Sequence, residues 1–273
     1  MKNIIAIVTL ILIFSARVSN AQTDVTEPAE LPKLEKSDAS DAPKLNKLTV
    51  GYERDNFNLG FSPWDQGFVS LGHKFEFGSV IARYNRARRF DTDGEQWEAD
   101  AYPSLWQGAY GYLNYGRSNS SIYPRERYGA EVFQSLGGGF EASAGFRKLE
   151  FTGGGVTLFT GSIAYYYSNY YFYIRPYHTP SDIGASDSWT LGFRSYLDDE
   201  QYWALAVGQG LSVEPDFSGN PIGLKSQKAS ADIYLSAGND VWVHPGIGFR
   251  KEEIRAGVER EMWAYDISLE KRF

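Results

Sequence analysis

Beyond residue 47, apolar and polar residues alternate one by one in short runs along the chain. In the run from Phe140 to Arg147, positions 140, 142, 144 and 146 are apolar, and Glu141 and Arg147 belong to the other face. A period of two puts successive side chains on opposite faces of a β-strand. Because no apolar stripe with helical spacing extends over three turns in this region, the sequence predicts an all-β fold.

The alternation predicts 14 strands separated by turns rich in Gly, Asn and Asp. Most of them have the 9–11 residues that a tilted membrane-spanning strand needs. A division into 12 strands is the alternative, with the runs at 94–117 or 241–273 partitioned differently. The predicted strands are 47–56, 67–76, 79–90, 94–104, 107–117, 126–135, 139–151, 156–167, 169–178, 187–197, 201–211, 226–236, 241–251 and 262–273.

The predicted connections alternate between short and long, as in membrane β-barrels with short periplasmic turns and longer outer loops. An even number of strands puts both chain ends on the periplasmic side. The predicted long connections are 57–66, 118–125, 179–186, 212–225 and 252–261.

A soluble β-sandwich also alternates, but two features favour a barrel in a membrane. Aromatic residues make up 16% of the chain, and the run from Tyr165 to Tyr173 crosses a predicted periplasmic turn, where an aromatic girdle is expected. The strand faces opposite the apolar ones carry charges of both signs, which a sandwich core could hold only at a large desolvation cost. The predicted lumen-lining residues are Glu98, Asp100, Glu131, Glu141, Arg147, Arg175, Arg194, Asp232 and Asp266.

Since no sheet edge can stay open in hydrocarbon, the sheet must close on itself. We therefore predict a closed antiparallel transmembrane β-barrel over residues 48–273. Inward-facing tyrosines, predicted at positions 110, 112, 171, 173 and 177, would add bulk to its lumen.

The N-terminal region has a different composition. Residues 1–21 predict a cleaved signal peptide, with Lys2, an apolar run over 4–14 and small residues at Ser19 and Ala21. That run is too short to cross a bilayer as a helix. Residues 22–47 are polar, contain three prolines and no aromatic residue, and predict a disordered periplasmic linker. We expect export to the outer membrane of a bacterial cell.

Composition excludes several classes of function. The chain has no Cys, which excludes disulfides and thiolate metal sites, and only three His. Its net charge of −7 argues against nucleic acid as a partner. We expect neither a metal nor a cofactor.

The C-terminal residues have the pattern of an assembly signal. Phe273 ends a run with apolar residues at alternate positions back to Trp263. This is similar to the terminal-strand signal that the barrel-assembly machinery reads in outer-membrane proteins, although Lys271 departs from it. We expect that machinery to be a partner.

Several motifs mix Gly, aromatic and charged residues in an order that simple alternation does not dictate. They are Gly78 to Phe90, Gln96 to Pro103, Tyr128 to Glu131, Gly145 to Arg147, Tyr171 to Tyr177 and Leu191 to Tyr196. In these motifs the chain resembles the YaiO family of outer-membrane β-barrels, over about residues 48–273. The resemblance implies an outer-membrane location and brings no catalytic residues with it.

One basic cluster allows two interpretations. Guanidinium groups at this density could bind the phosphates of lipopolysaccharide at the outer rim. The alternative is cross-strand pairing with Glu95, Glu98 and Asp100 on the following strand. The four residues are Arg83, Arg86, Arg88 and Arg89.

The sequence contains one motif that suggests a catalytic triad and one that suggests a phosphate-binding loop, and their spacing favours neither. His178, Ser181 and Asp182 lie too close along one loop to converge as a catalytic triad. The glycine triplets at 137–139 and 153–155 lack the helix and the lysine of a phosphate-binding loop, and predict turns.

The leading hypothesis is a narrow channel or conduit for a polar solute or saccharide, selected by charged and Tyr side chains in the lumen. The second is a closed structural or interaction barrel that acts through its outer loops or its lipid contacts. A membrane-embedded lipid-modifying enzyme is the third, and we do not expect an enzyme.

Overall fold

The computed structural model describes residues 44–180, 186–216 and 218–273. The predicted signal peptide and residues 22–43 of the predicted linker lie outside this part of the chain. Within it, no helix is long and apolar enough to cross a membrane.

The described chain forms 14 antiparallel strands, each hydrogen-bonded to the next, and β1 pairs with β14 to close the barrel. The 14-strand prediction is confirmed, and the 12-strand alternative is wrong. The strands are β1 (Asn46–Phe57), β2 (Trp64–Phe75), β3 (Gly78–Arg89), β4 (Thr92–Trp106), β5 (Ala109–Ser118), β6 (Glu126–Gly137), β7 (Phe140–Phe151), β8 (Gly154–Tyr167), β9 (Tyr170–Thr179), β10 (Ser186–Tyr196), β11 (Tyr202–Pro215), β12 (Pro221–Gly238), β13 (Val241–Arg255) and β14 (Val258–Arg272).

The seam between the first and last strands brings the chain ends together. Asn46 and Phe273 exchange two backbone hydrogen bonds of 3.0 Å each. Every strand edge is thereby paired along the seam, as hydrocarbon requires. We call the opposite end of the barrel the outer end, since barrels of this type keep their longer loops outside the cell.

Side chains alternate between a lipid-facing and a lumen-facing surface along every strand. On β7, Phe140 and Phe146 are exposed outward, whereas Glu141 and Arg147 are buried inside. Aromatic side chains form an outward band near the termini, where Phe140 stacks on Tyr165 and Phe172 packs against Phe193. A second band near the outer end includes Trp97 and Tyr115. The two bands lie where a bilayer meets water.

The outer connections are shorter than the sequence pattern predicts. The expected loop 212–225 shrinks to 216–220, because β11 and β12 continue to Pro215 and from Pro221. The expected loop 252–261 shrinks to 256–257. The charged residues that suggested loops, such as Glu214 and Glu252, instead lie on the inner face of strands, where they pair with Arg250.

Two outer connections fold over the mouth of the barrel. The β5–β6 connection, 119–125, turns inward, so that Ile122 and Tyr123 are buried against Ala87 and partly buried Phe90. The β11–β12 connection reaches the β7–β8 turn, where a Cβ added to Gly153 would meet Asn220. These two connections therefore cover part of the outer end.

Candidate functional site

The lumen holds all nine of the residues predicted to line it. Glu98, Asp100, Glu131, Glu141, Arg147, Arg175, Arg194 and Asp232 are buried on the inner face, and Asp266 lies on the same face, half-buried. Their surroundings divide the lumen into a packed side, along β3–β9, and a more open side, along β10–β14, β1 and β2.

On the packed side, one carboxylate is shared by two arginines. Glu131 accepts hydrogen bonds from Arg147 at 2.8 Å and from Arg175 at 2.6 Å, and Ser143 donates a further one at 2.6 Å. Arg147 also lies over the ring of Tyr112, 4.6 Å from its centroid. Charge, hydrogen bonding and ring contacts therefore fix these side chains together.

A second network on the packed side lies nearer the outer end. Glu98 accepts from Arg127 at 2.7 Å and from Arg83 at 3.3 Å. Asp100 accepts from Asn114 at 2.7 Å and from Tyr112 at 3.2 Å. Since these groups leave almost no surface accessible to water, this part of the lumen is filled with side chains.

A four-membered ion cluster lies across the outer end. Arg250 pairs with Glu214 and, at 2.7 Å, with Glu252; Arg260 pairs with the same two carboxylates, at 3.0 Å to Glu214. Arg250 is 0% exposed, and the Met262 sulfur lies 3.2 Å from its Nη2. Alternating charges make this cluster self-neutralising, and it covers the lumen beneath the outer connections.

Charged and aromatic side chains also pack together near the termini. Arg272 joins Glu270 at 2.9 Å and Glu200 at 2.6 Å, and its guanidinium lies over Trp242. His244 lies 2.9 Å from Asp232. Arg194 lies over Tyr202, 4.0 Å from the ring centroid. Polar groups thus line this end.

The open side carries small polar residues. Several inward-facing residues here are partly accessible to water, which requires water-sized space beside them. Those with hydroxyl groups are Thr49, Thr190, Ser226, Ser230 and Ser268.

Several long side chains on the open side lie flat against the wall, over glycines. Phe68 lies over its cross-strand partner Gly51, where an added Cβ would come within 2.2 Å of the ring. At the border between the two sides, Tyr173 of β9 lies in the same way over Gly192 of β10. A glycine leaves the space that lets a neighbouring side chain lie flat instead of projecting into the lumen.

Lys228 follows the same arrangement over Gly208, where an added Cβ would lie 2.7 Å from its Cε. Arg250 is the charged group that faces it most closely. Among the described residues, no carboxylate lies within ion-pairing distance of its ammonium group. Within the described chain, Lys228 is thus a lumen cation without a counter-charge.

The four arginines predicted as one rim cluster are divided between the two faces of the wall. Arg83 and Arg89 face the lumen, because odd-numbered residues of β3 point inward. Arg86 and Arg88 face outward. The structure therefore does not bring the four side chains together, and Arg83 forms the cross-strand pairs of the alternative, with Glu98 and Asp100.

Of the considered triad, only His178 lies in the part of the chain that the structure describes. His178 lies 2.8 Å from Asp187 on an exposed part of β9 and β10. Ser181 and Asp182 lie outside the described residues.

The family model described as "YaiO membrane beta barrel domain" matches residues 45–216, more than half of the chain. The chain belongs to the YaiO family. Membership of this family together with the fold places the protein in the bacterial outer membrane. No curated protein matches the chain.

Solved structures similar to this YaiO barrel share its fold at low identity. The Acinetobacter baumannii outer membrane protein Omp33 is 12% identical, with a TM-score of 0.52, over 85% of this chain and 100% of that one. A structure described as a bacterial polysaccharide outer membrane secretin is 9% identical, with a TM-score of 0.51, over 85% and 100% of the two chains.

The sequence prediction missed several lumen residues of this YaiO barrel. Glu214 and Glu252 were assigned to loops, and Arg250 and Arg260 were not singled out. Lys228 was missed although it falls four residues before Asp232, on the same face of β12. Every second residue of a strand faces the same side, so counting back from Asp232 in steps of two identifies Lys228 as lumen-facing.

Proposed function

We propose that the barrel is a narrow conduit for ions and small polar solutes along the open side of its lumen. The observation that carries the proposal is Lys228, a cation without a counter-charge on a wall of hydroxyl groups and glycines. An unpaired charge in a narrow passage sets the sign of the ions that cross it. The ion cluster around Arg250 and the inward-folded connection 119–125 form the constriction at the outer end.

The test is single-channel conductance of the refolded protein in a planar lipid bilayer. We expect discrete steps with anion preference, and a shift of the reversal potential towards cations in Lys228→Glu. Lys225→Glu is the matched control, because Lys225 lies on the same strand and faces outward. Equal selectivity in the wild type and Lys228→Glu would contradict the proposal.

The packed side and the covered outer end favour a second candidate, a closed barrel that acts through its outer connections. The two candidates predict different changes in conductance when the outer end of the lumen is widened. We expect replacement of Ile122 and Tyr123 by Ser to raise conductance if the lumen is a conduit with an outer constriction. A silent bilayer for both wild type and this variant, with heat-modifiable electrophoretic mobility confirming folded barrels, would favour the closed barrel.

A further inference from the structure

The outer wall of the barrel has a cleft of about 980 Å³ at the outer end. It forms because β4 begins at Thr92, whereas its pairing with β5 ends at Gln96 and Ser118. Beyond Ser118 the chain turns inward, and Ile122 packs behind Gly94. A gap therefore remains beside the unpaired edge of β4, facing away from the lumen.

Two arginines flank this cleft. Arg86 on β3 and Arg117 on β5 both face outward and line it. The carboxylate opposite Arg86 in the register is Glu95, which is hydrogen-bonded to the Tyr84 hydroxyl. Among the described residues, no ion pair involves Arg86 or Arg117. Two guanidinium groups are thus available to an anion.

An exposed aromatic surface lies between the arginines. Trp97 is 66% exposed, packs against Tyr84 with ring centroids 4.8 Å apart, and is the cross-strand partner of Arg117. Tyr115 lines the cleft beside it. Indole and phenol rings present flat apolar faces, on which the C–H face of a sugar ring can pack.

The remaining lining is rich in hydrogen-bonding groups. Asn119, Ser120 and Ser121 supply amide and hydroxyl groups, and carboxylates come from Asp93, Glu95 and Glu98. These groups suit the hydroxyls and amides of a saccharide. A simple anion such as free phosphate would need only the arginines and would leave the aromatic and acidic lining without a partner.

The cleft lies at the level of the outer aromatic band, where a lipid headgroup would meet the barrel. Between the cleft and the end of the barrel that holds the chain termini, Leu113 of β5 and Val132 of β6 are exposed to the hydrocarbon. A bound lipid could place its acyl chains on these residues and its headgroup in the cleft. Both the chemistry and the position therefore point to the outer leaflet.

We propose that the cleft between β4 and β5 binds the phosphorylated sugar headgroup of an outer-leaflet glycolipid. The two arginines bind phosphate oxygens in a bidentate manner, and Trp97 packs against the sugar ring. This site faces lipid and is independent of the conduit proposed for the lumen.

The test measures lipid binding to the full-length mature protein in nanodiscs or detergent by native mass spectrometry. The probes are bisphosphorylated lipid A, its dephosphorylated form and phosphatidylglycerol. We expect lipid A to bind at least tenfold more tightly than either of the others. Equal binding of phosphatidylglycerol would overturn the proposal, because any anionic lipid would then suffice.

Variants locate the site. We expect Arg86→Gln with Arg117→Gln to weaken lipid A binding by a factor of ten or more, and Trp97→Ala to weaken binding of the phosphorylated and dephosphorylated forms alike. Arg54→Gln is the control, since Arg54 also faces outward near this end but pairs with Asp65. Heat-modifiable mobility verifies that each variant is folded. Unchanged lipid A affinity in the folded double variant would overturn the proposal.

Discussion

Glu131 illustrates how single residues keep charge inside this barrel. Its carboxylate lies between Arg147 and Arg175 and is buried with them. Removing a charge from water costs several kcal/mol, and the cost is offset only when the partners and hydrogen bonds are complete. Each member of such a group therefore depends on the others.

We expect Glu131→Gln to lower the free energy of unfolding by about 3–5 kcal/mol, because two buried guanidinium groups lose their shared carboxylate. Glu150→Gln is the matched control on the next strand: Glu150 faces outward and pairs with Lys148, and we expect a loss of about 1 kcal/mol or less. Urea titration of the refolded protein in lipid vesicles measures both. Equal losses of unfolding free energy in the two variants would show that the buried lumen network stabilises the fold no more than a surface ion pair does.

At the scale of elements, the strand ends at the outer rim are determined by charge pairing inside the lumen. β11, β13 and β14 extend further than their patterns predict, since Glu214, Glu252 and Arg260 find partners there. The connection that joins β11 to β12 is short and internally bonded. Ser218 and Asn220 donate backbone N–H groups to the Asp216 carboxylate, each at 2.8 Å.

These hydrogen bonds give the connection a pH dependence. The backbone N–H of Asn220, with further donors around it, lowers the pKa of Asp216. A lowered pKa means that the ionised carboxylate stabilises the connection above its unfolded pKa, about 3.9, and that this stability is lost as pH falls through the lower folded value. We expect the protection factors of the Ser218 and Asn220 amides to fall below about pH 4.

Asp216→Asn removes the titrating group while keeping an acceptor oxygen. We expect its protection factors, measured by NMR in detergent micelles, to be nearly independent of pH over the same range. If the variant and the wild type lose protection in parallel, another group controls the connection.

At the scale of the whole molecule, outer connections that are distant in sequence meet over the lumen. An added Cβ at Gly153 would lie 3.2 Å from the Cβ of Asn220. This is only a few tenths of an ångström short of the Cβ–Cβ separation in disulfides, about 3.5–4.5 Å. The chain contains no Cys, so an introduced pair has no competitor.

We therefore expect Gly153→Cys with Asn220→Cys to form an intramolecular disulfide on mild oxidation of the folded protein. Non-reducing electrophoresis after denaturation detects it as a faster-migrating, reductant-sensitive band. Gly153→Cys with Asn239→Cys is the control, because Asn239 lies in a turn near the termini, and it should give no such band. A double variant that stays reduced while folded would mean that the two connections do not meet.

The prediction of the fold succeeded because period-two alternation is local information. Runs such as Phe140 to Arg147 indicate which residues face lipid and which face the lumen, so the pattern alone places the nine predicted residues on the inner face. The errors arose where local pattern and tertiary context disagree. Charged stretches at the outer rim resemble loops, and the dense arginines of β3 resemble one cluster although a strand sends neighbours to opposite faces.

The sequence by itself determined the all-β class, the number of strands, the inward and outward faces and the family, because strand periodicity and short motifs depend only on neighbouring residues. The tertiary structure alone decided which charges pair, that the β5–β6 connection folds inward, and that Lys228, Arg86 and Arg117 form no ion pair with any described residue. These features depend on register and on barrel closure, which bring together residues as distant as Arg89 and Tyr123 or Glu214 and Arg260. No local pattern encodes such contacts, because the residues come within reach of each other only when the sheet has closed into a barrel.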